Sequence, residues 1–338
     1  MAVRYTSLAR ATARVAPTKS GRTIGKGAAM NIWVDANGWP VPPQVLLVCL
    51  IAEILYFRGW RLLVKAEQRK IARASVHPVV TGMKTGHYQL DSWSWRGIYF
   101  LGAIFAFLLA SSAPVDILSS RLFWMHMIQH LLILVVMAPL LVAGAPIIPM
   151  WLGLPRRGRW LIKTYIKLKV RLGLYRIVGW LRQPAITCAL LLIGIWGWHW
   201  PPLYDLALTN AAIHDWFEHS TFLAVSALFW TQLIPSPPLR PRVGYLGGLG
   251  CVAFAMAQNV VLAALIGFSQ VPLYAPYAHL VTGLGGFSAV QDQQLGAGIM
   301  WTFGDLPFGI AFATLVHKWL VSQSDDTGEV SAGEKQRA

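Results

Sequence analysis

Two histidines four residues apart, His126 and His130, sit inside WMHMIQHLLILVVMAPLLVAGAP (Trp124–Pro146), a stretch otherwise almost wholly apolar. At i,i+4 spacing on a helix both imidazoles lie on one face. Such a pair can meet one metal ion or one haem edge. Gln129 is on the same turn, and Met125 and Met127 flank His126. A second polar group follows in IHDWFEHSTF, which carries His214, Asp215, Glu218 and His219. There His214 shares a face with Glu218, and Asp215 with His219. His199 ends an apolar segment in WGWHWPPLYDLAL, and VQDQQLGAGIMW adds Asp292, Gln293 and Gln294 with Met300 deeper in the same segment. His279 lies in the loop before it.

Imidazole is a good ligand for copper, zinc or iron, and a thioether is a soft ligand that favours Cu(I). We expect a metal site built from His126 and His130 with His214 and His219. Glu218, Asp215 and Asp292 are expected as carboxylates that fix a histidine tautomer. Met127, Met300 and His199 are auxiliary candidates. The competing expectation is that interfacial histidines only hydrogen-bond neighbouring helices or water. Other chemistries lack their residues. HMIQH has Met127 where a zinc-protease motif needs glutamate, and there is no glycine-rich phosphate loop. No serine has a nucleophile's neighbourhood, so the chain is not expected to be an enzyme. Cys49, Cys188 and Cys251 lie in apolar stretches without CxxC spacing and read as small buried residues.

The elements that must position these residues are membrane helices. Of 338 residues, 55% are hydrophobic and 13% charged, with a mean hydropathy of +0.50. Soluble domains carry about 25% charge. Seven apolar segments, at 43–60, 94–113, 122–148, 184–200, 214–236, 246–268 and 292–317, approach or exceed the roughly 20 residues a spanning helix needs. The net charge of +15 does not indicate nucleic acid, because the basic residues lie between these segments. Arg61 to Lys84, Arg156 to Arg182, and Arg240 with Arg242 form three basic loops, whereas 201–218 holds acids only. The positive-inside rule then predicts an all-α bundle of seven transmembrane helices, N-terminus outside and C-terminus cytoplasmic. The histidine groups fall at the outer end.

Around this domain, 43–320, we expect an N-terminal tail (1–42), a basic cytoplasmic loop (149–183) with an amphipathic helix, and a disordered cytoplasmic tail (321–338). Residues 1–29 are basic without an acid and conflict with an outer N-terminus. A translation start at Met30 would remove the conflict. Pro139 and the Gly144–Pro146 end are expected to bend and stop the third helix. Gln258 and Asn259 are expected either to bridge helices or to line the histidine cavity.

The combination of WMHMIQHLLILVVMAPLLVAGAP, WHWPPLYDLAL followed by HDWFEHSTFLAVSALFWTQLI, and DQQLGAGIMW resembles the CtaG-type cytochrome c oxidase assembly factors of bacteria, from about Ser94 to Leu320. The resemblance implies a multi-pass protein of the bacterial plasma (inner) membrane that helps to assemble a haem–copper oxidase, with a role in supplying copper. The implied partners are oxidase subunits and the lipid bilayer, with no nucleic acid. The family's histidines fall on His126, His130, His214 and His219. Copper as Cu(I) is the expected cargo. The alternatives are a metal-free scaffold for oxidase assembly, a haem-binding protein and a copper transporter.

Overall fold

Each of the seven apolar segments falls on helix in the computed structural model, which describes Val34 and residues 38–76, 93–171, 173–278 and 286–335. The expected start at Met30, most of the 1–42 tail and His279 lie outside the described residues. In chain order the helices are α1 (Pro43–Val76), α2 (Trp93–Ala110), α3 (Ala113–Ser119) and α4 (Phe123–Leu131). A π-helical segment, Leu132–Met137, carries α4 on into α5 (Ala138–Gly144). There follow α6 (Ile147–Gly153), α7 (Arg156–Arg171), α8 (Leu174–Leu181), α9 (Pro184–His199) and α10 (Pro201–Thr209). A second π segment, Ile213–Glu218, opens α11 (His219–Trp230). The chain closes with α12 (Tyr245–Gly267), α13 (Ala275–Ala278) and α14 (Ala289–Lys335). No strand is present among the described residues.

Among the described residues four helices are long and apolar enough to cross a membrane: Trp93–Ala110, Phe123–Gly144, Tyr245–Gly267 and Ala289–Gln323. There are five if α9 and α10, bent by 68°, count as one span. The other two apolar segments carry charge within their length, Glu53 and Arg58 in one and Asp215 and Glu218 in the other.

Prolines set the breaks. Pro201 and Pro202 cannot donate to the preceding turn, so Trp200 is extended (φ −69°, ψ 123°) and α10 turns away from α9. The chain after Gly144 leaves its helix through Ala145 in the left-handed region (φ 47°), followed by Pro146. That ends the third apolar segment where expected. The stretch expected as a disordered tail, 321–338, instead continues α14 as helix as far as Lys335. No proline after Pro307 interrupts it.

The described residues belong to one compact unit, Ile32–Ala338. Its main core lies between α4, α9, α11, α12 and α14, with Phe123, Met127, Leu191, Phe222, Phe229 and Met300 buried there. A smaller cluster joins α1 to α2 through Tyr56 and Phe100, whose rings stack at 3.8 Å. Here α1 and α6 approach backbone to backbone. A Cβ on Gly59 would collide with the Pro149 carbonyl, and one on Gly153 with that of Leu55. Small residues at a helix contact allow such an approach. Tyr56 donates to the Gly144 carbonyl (2.8 Å), and buried Arg96 donates to the carbonyls of Ala143 (2.9 Å) and Pro235 (3.2 Å).

Candidate metal centre

The bundle has two ends of different character. At one end Arg182 donates to the Arg240 carbonyl (2.7 Å) and Arg242 to that of Gly179 (2.6 Å), so the 149–183 segment is tied to the 231–244 loop. At the other end α3, α10 and α13 cover the start of α4, and the histidines lie beneath them.

Phe123 and Trp124 donate their backbone N–H groups to the carboxylate of Asp292 on α14, at 2.8 and 3.3 Å. Asp292 was expected beside a histidine. It instead caps the helix that carries His126, taking up donors that a helix start leaves unpaired. One turn on, His126 and His130 meet edge to face, with ring centroids 4.1 Å apart. The α-helix then widens into its π segment. Pro139 has no N–H and its ring crowds the carbonyl four residues back, and a wider turn relieves that crowding. Ser226 of α11 donates to the Leu134 carbonyl within this segment (2.5 Å).

The facing helix is also π at this level, and the turn Ile213–Glu218 presents His214 and Glu218 inward. The His214 ring lies 5.0 Å from that of His126 and 6.1 Å from that of His130. Ligand atoms of His126, His130, His214 and Glu218 all fall within 4.8 Å of one another, and all four residues are buried. Glu218, expected to support a ligand, therefore stands among the ligand positions themselves. His219 is half-buried on the flank. Its ring is 4.3 Å from that of His214, and it groups with His214 and exposed Asp215.

Hydrogen bonds fix which ring nitrogens carry protons. The single hydroxyl proton of Tyr277 goes to the Ser119 carbonyl (2.6 Å), so its oxygen accepts from His126 Nδ1–H (3.0 Å). Burial pushes the Tyr277 phenol well above the ordinary tyrosine range, so that proton stays in place. Likewise His214 Nδ1 faces Asp215 Oδ1 (3.0 Å) and His199 Nδ1 faces the Ile195 carbonyl (2.8 Å). In each ring a proton sits on Nδ1, which in a neutral imidazole leaves the lone pair on Nε2. The leftover atoms have no hydrogen-bond partner: Nε2 of His126, His199, His214 and His219, both nitrogens of His130 and both oxygens of Glu218. His130 Nε2 and Glu218 Oε1 stand 3.5 Å apart.

A buried polar atom without a partner costs about 1–3 kcal/mol, and native proteins keep few of them. Here those of His126, His130, His214 and Glu218 converge, and they offer mostly acceptors. Acceptors facing acceptors are satisfied by a cation. Three imidazoles and a carboxylate form a donor set that fits copper or zinc.

A cavity of about 30 Å³ lies beside the cluster, with His130, His199, Met127 and Met300 in its wall. That is room for one or two bodies the size of a water molecule and far too little for a porphyrin. Gln258 and Asn259 line it too. Asn259 bridges helices by donating to the Met300 carbonyl (3.0 Å) and to Asp305 Oδ1 (2.9 Å), and Gln258 accepts from Trp196 (3.0 Å). Phe308 also lines the cavity, and it stacks on Trp230 (5.1 Å, 3°) and meets Phe229 edge-on (5.7 Å).

Sequence reasoning did not single out the tyrosines. Tyr204, Tyr274 and Tyr277 pack with Phe123 over the His126 ring, and Tyr274 donates to the His199 carbonyl (3.1 Å) freed by the proline break. WHWPPLYDLAL placed Tyr204 close to His199 in sequence, but nothing local marked Tyr274 or Tyr277.

The sequence model of the cytochrome c oxidase caa3 assembly factors (Caa3_CtaG) matches residues 54–322. Uncharacterised proteins of Mycobacterium bovis and Mycobacterium tuberculosis are each 25% identical over 241 residues, covering 68% of this chain and 35% of their own length. An uncharacterised protein of Mycobacterium leprae is 23% identical over 291 residues, covering 83% of this chain and 41% of its own. The chain thus spans well under half the length of these curated relatives. No solved structure matches it. The chain belongs to the cytochrome c oxidase caa3 assembly factor family.

Proposed function

We propose that this assembly factor is a copper-binding protein of the bacterial plasma membrane that holds the ion among His126, His130, His214 and Glu218 and hands it to the oxidase under construction. The observation that carries the reading is the convergence of buried, unpartnered lone pairs on one point. Copper is cargo here, and it supplies the positive charge that this set of acceptors lacks. The protein's own part is to keep the ligands in register. Tyr277 and Asp215 hold His126 and His214 in the tautomer that presents Nε2, and Asp292 anchors the start of the helix that carries His126. The aromatic cover of Tyr204, Tyr274 and Tyr277 keeps competing water away.

In this reading seven helices span the membrane, with the N-terminus outside and the C-terminus in the cytoplasm. The basic residues of 156–182 and 240–242 gather at the end opposite the histidines, which supports placing the cluster at the outer leaflet. Binding near a surface suits a delivery protein, because a partner's ligands must reach the ion to displace it.

The test is metal content after purification in detergent under reducing conditions, comparing the native chain with His126→Ala plus His130→Ala. Near-stoichiometric copper in the native chain, lost in the double variant, is expected. A native chain that takes up no copper when loaded with Cu(I) would overturn the proposal and leave a metal-free scaffold.

A further inference from the structure

The three imidazoles and one carboxylate at the cluster are borderline-to-hard donors, which bind Zn(II) or Cu(II) as readily as Cu(I). Selectivity for the reduced ion needs soft ligands, and two are present one step deeper. Met127 and Met300 are both buried, and both line the cavity of about 30 Å³ that His130 and His199 also line.

The lining separates into groups whose bonds are made and groups whose bonds are not. Ser226, Gln258 and Asn259 direct their donors to the Leu134 carbonyl, the Ala255 carbonyl and the pair of Met300 O and Asp305. His199 Nε2 and both nitrogens of His130 make no hydrogen bond, and His130 Nε2 stands 3.5 Å from Glu218 Oε1. The lone pair of His199 is fixed by its Nδ1–H bond to Ile195. Two thioethers and two imidazoles, each imidazole with one lone pair to offer, thus stand in the wall of a space of ionic size.

We propose that His130, His199, Met127 and Met300 form a second, soft station for Cu(I), distinct from the imidazole–carboxylate set and joined to it through His130. This deepens the reading of the chain as a copper-binding assembly factor and rests on it. Cu(I) is satisfied by two to four soft or borderline ligands, so an ion can exchange between the stations through the shared imidazole without a change of oxidation state. The inner station explains how a site that also suits zinc favours the reduced copper ion. Glu218, the hard oxygen donor, belongs to the outer station alone.

The experiment loads the detergent-purified full chain with Cu(I) or with Zn(II) and records X-ray absorption at each metal edge, alongside competitive titrations. With Cu(I), a mixed nitrogen and sulfur shell is expected. Met127→Leu plus Met300→Leu keeps the side-chain volume. It should remove the sulfur scatterers and weaken Cu(I) at least tenfold, while Zn(II) affinity stays within about twofold. Cu(I) bound by the native chain with nitrogen and oxygen neighbours only would overturn the second station and leave the outer copper site standing. Equal losses of Cu(I) and Zn(II) in the methionine variant would overturn it as well. Failure of the native chain to bind either ion would remove the copper-binding reading itself, and the inner station with it.

Discussion

The contact of α1, α2 and α6 and the histidine cluster are both polar and buried, but they treat their polar groups in opposite ways. In the first, Arg96 and Tyr56 reach across to backbone carbonyls and Gly59 and Gly153 let two backbones touch. There polarity serves to hold shape. In the second, ring nitrogens and both oxygens of Glu218 are brought together and left without hydrogen bonds. In the proposed reading that arrangement costs stability in the metal-free chain and is repaid when a cation arrives. If the proposal holds, the difference separates a region built for rigidity from one built for a ligand, and it can be tested by sign as well as by size.

The largest effect is expected at the cluster. His126→Ala plus His130→Ala should abolish copper retention, read by elemental analysis, and lower oxidase activity in cells. The purified variant should melt no lower than the metal-free native chain. A variant that kept its copper would erase the distinction between the regions.

Gly153→Val should do the converse. Its side chain enters the space of the Leu55 backbone, and overpacking of this kind costs about 1–3 kcal/mol. Thermal unfolding in detergent should report the loss, while the surviving folded chain binds copper as before.

Tyr277→Phe tests a partner that acts through its neighbour. Losing a group that orients a ligand typically weakens metal binding about 10- to 100-fold. Competitive titration should show that drop with little change in melting temperature. An unchanged affinity would mean that His126 needs no help to present Nε2.

The smallest effect has the most telling sign. Glu218→Gln replaces a buried acceptor that makes no hydrogen bond by a group with N–H donors for the neighbouring ring nitrogens, so the metal-free chain should gain about 1 kcal/mol of stability. Arg96→Met, which leaves the carbonyls of Ala143 and Pro235 wanting, should lose about 1–3 kcal/mol. Stabilities moving in the same direction in both variants would end the comparison.

What could be read from the sequence follows from which forces are local. Hydrophobic runs and prolines act over neighbouring residues, so the seven apolar segments, the stop at Gly144–Pro146 and the shared face of His126 and His130 were all legible. Length and charge alone do not decide a span, and α1 with its Glu53 and Arg58 shows why counting segments runs ahead of the four or five helices that meet the composition of a membrane crossing. The site was half legible. Residue types named its members, but the place of Glu218 depends on a π turn that leaves no mark in composition. Asp292 reads as a carboxylate near histidines until α14 is seen to seat it on the start of α4. Tyr277 reaches His126 across 151 positions of chain, a distance over which spacing carries no information.

The stacked rings of Phe308 and Trp230 behind the cavity also bear on traffic. If copper is held as proposed, that floor leaves no way on toward the basic end, and the ion would enter and leave on the histidine side. Donor and recipient would then compete for one doorstep and could not be docked together. Supply and delivery become alternating visits, and an excess of either visitor should stall the other.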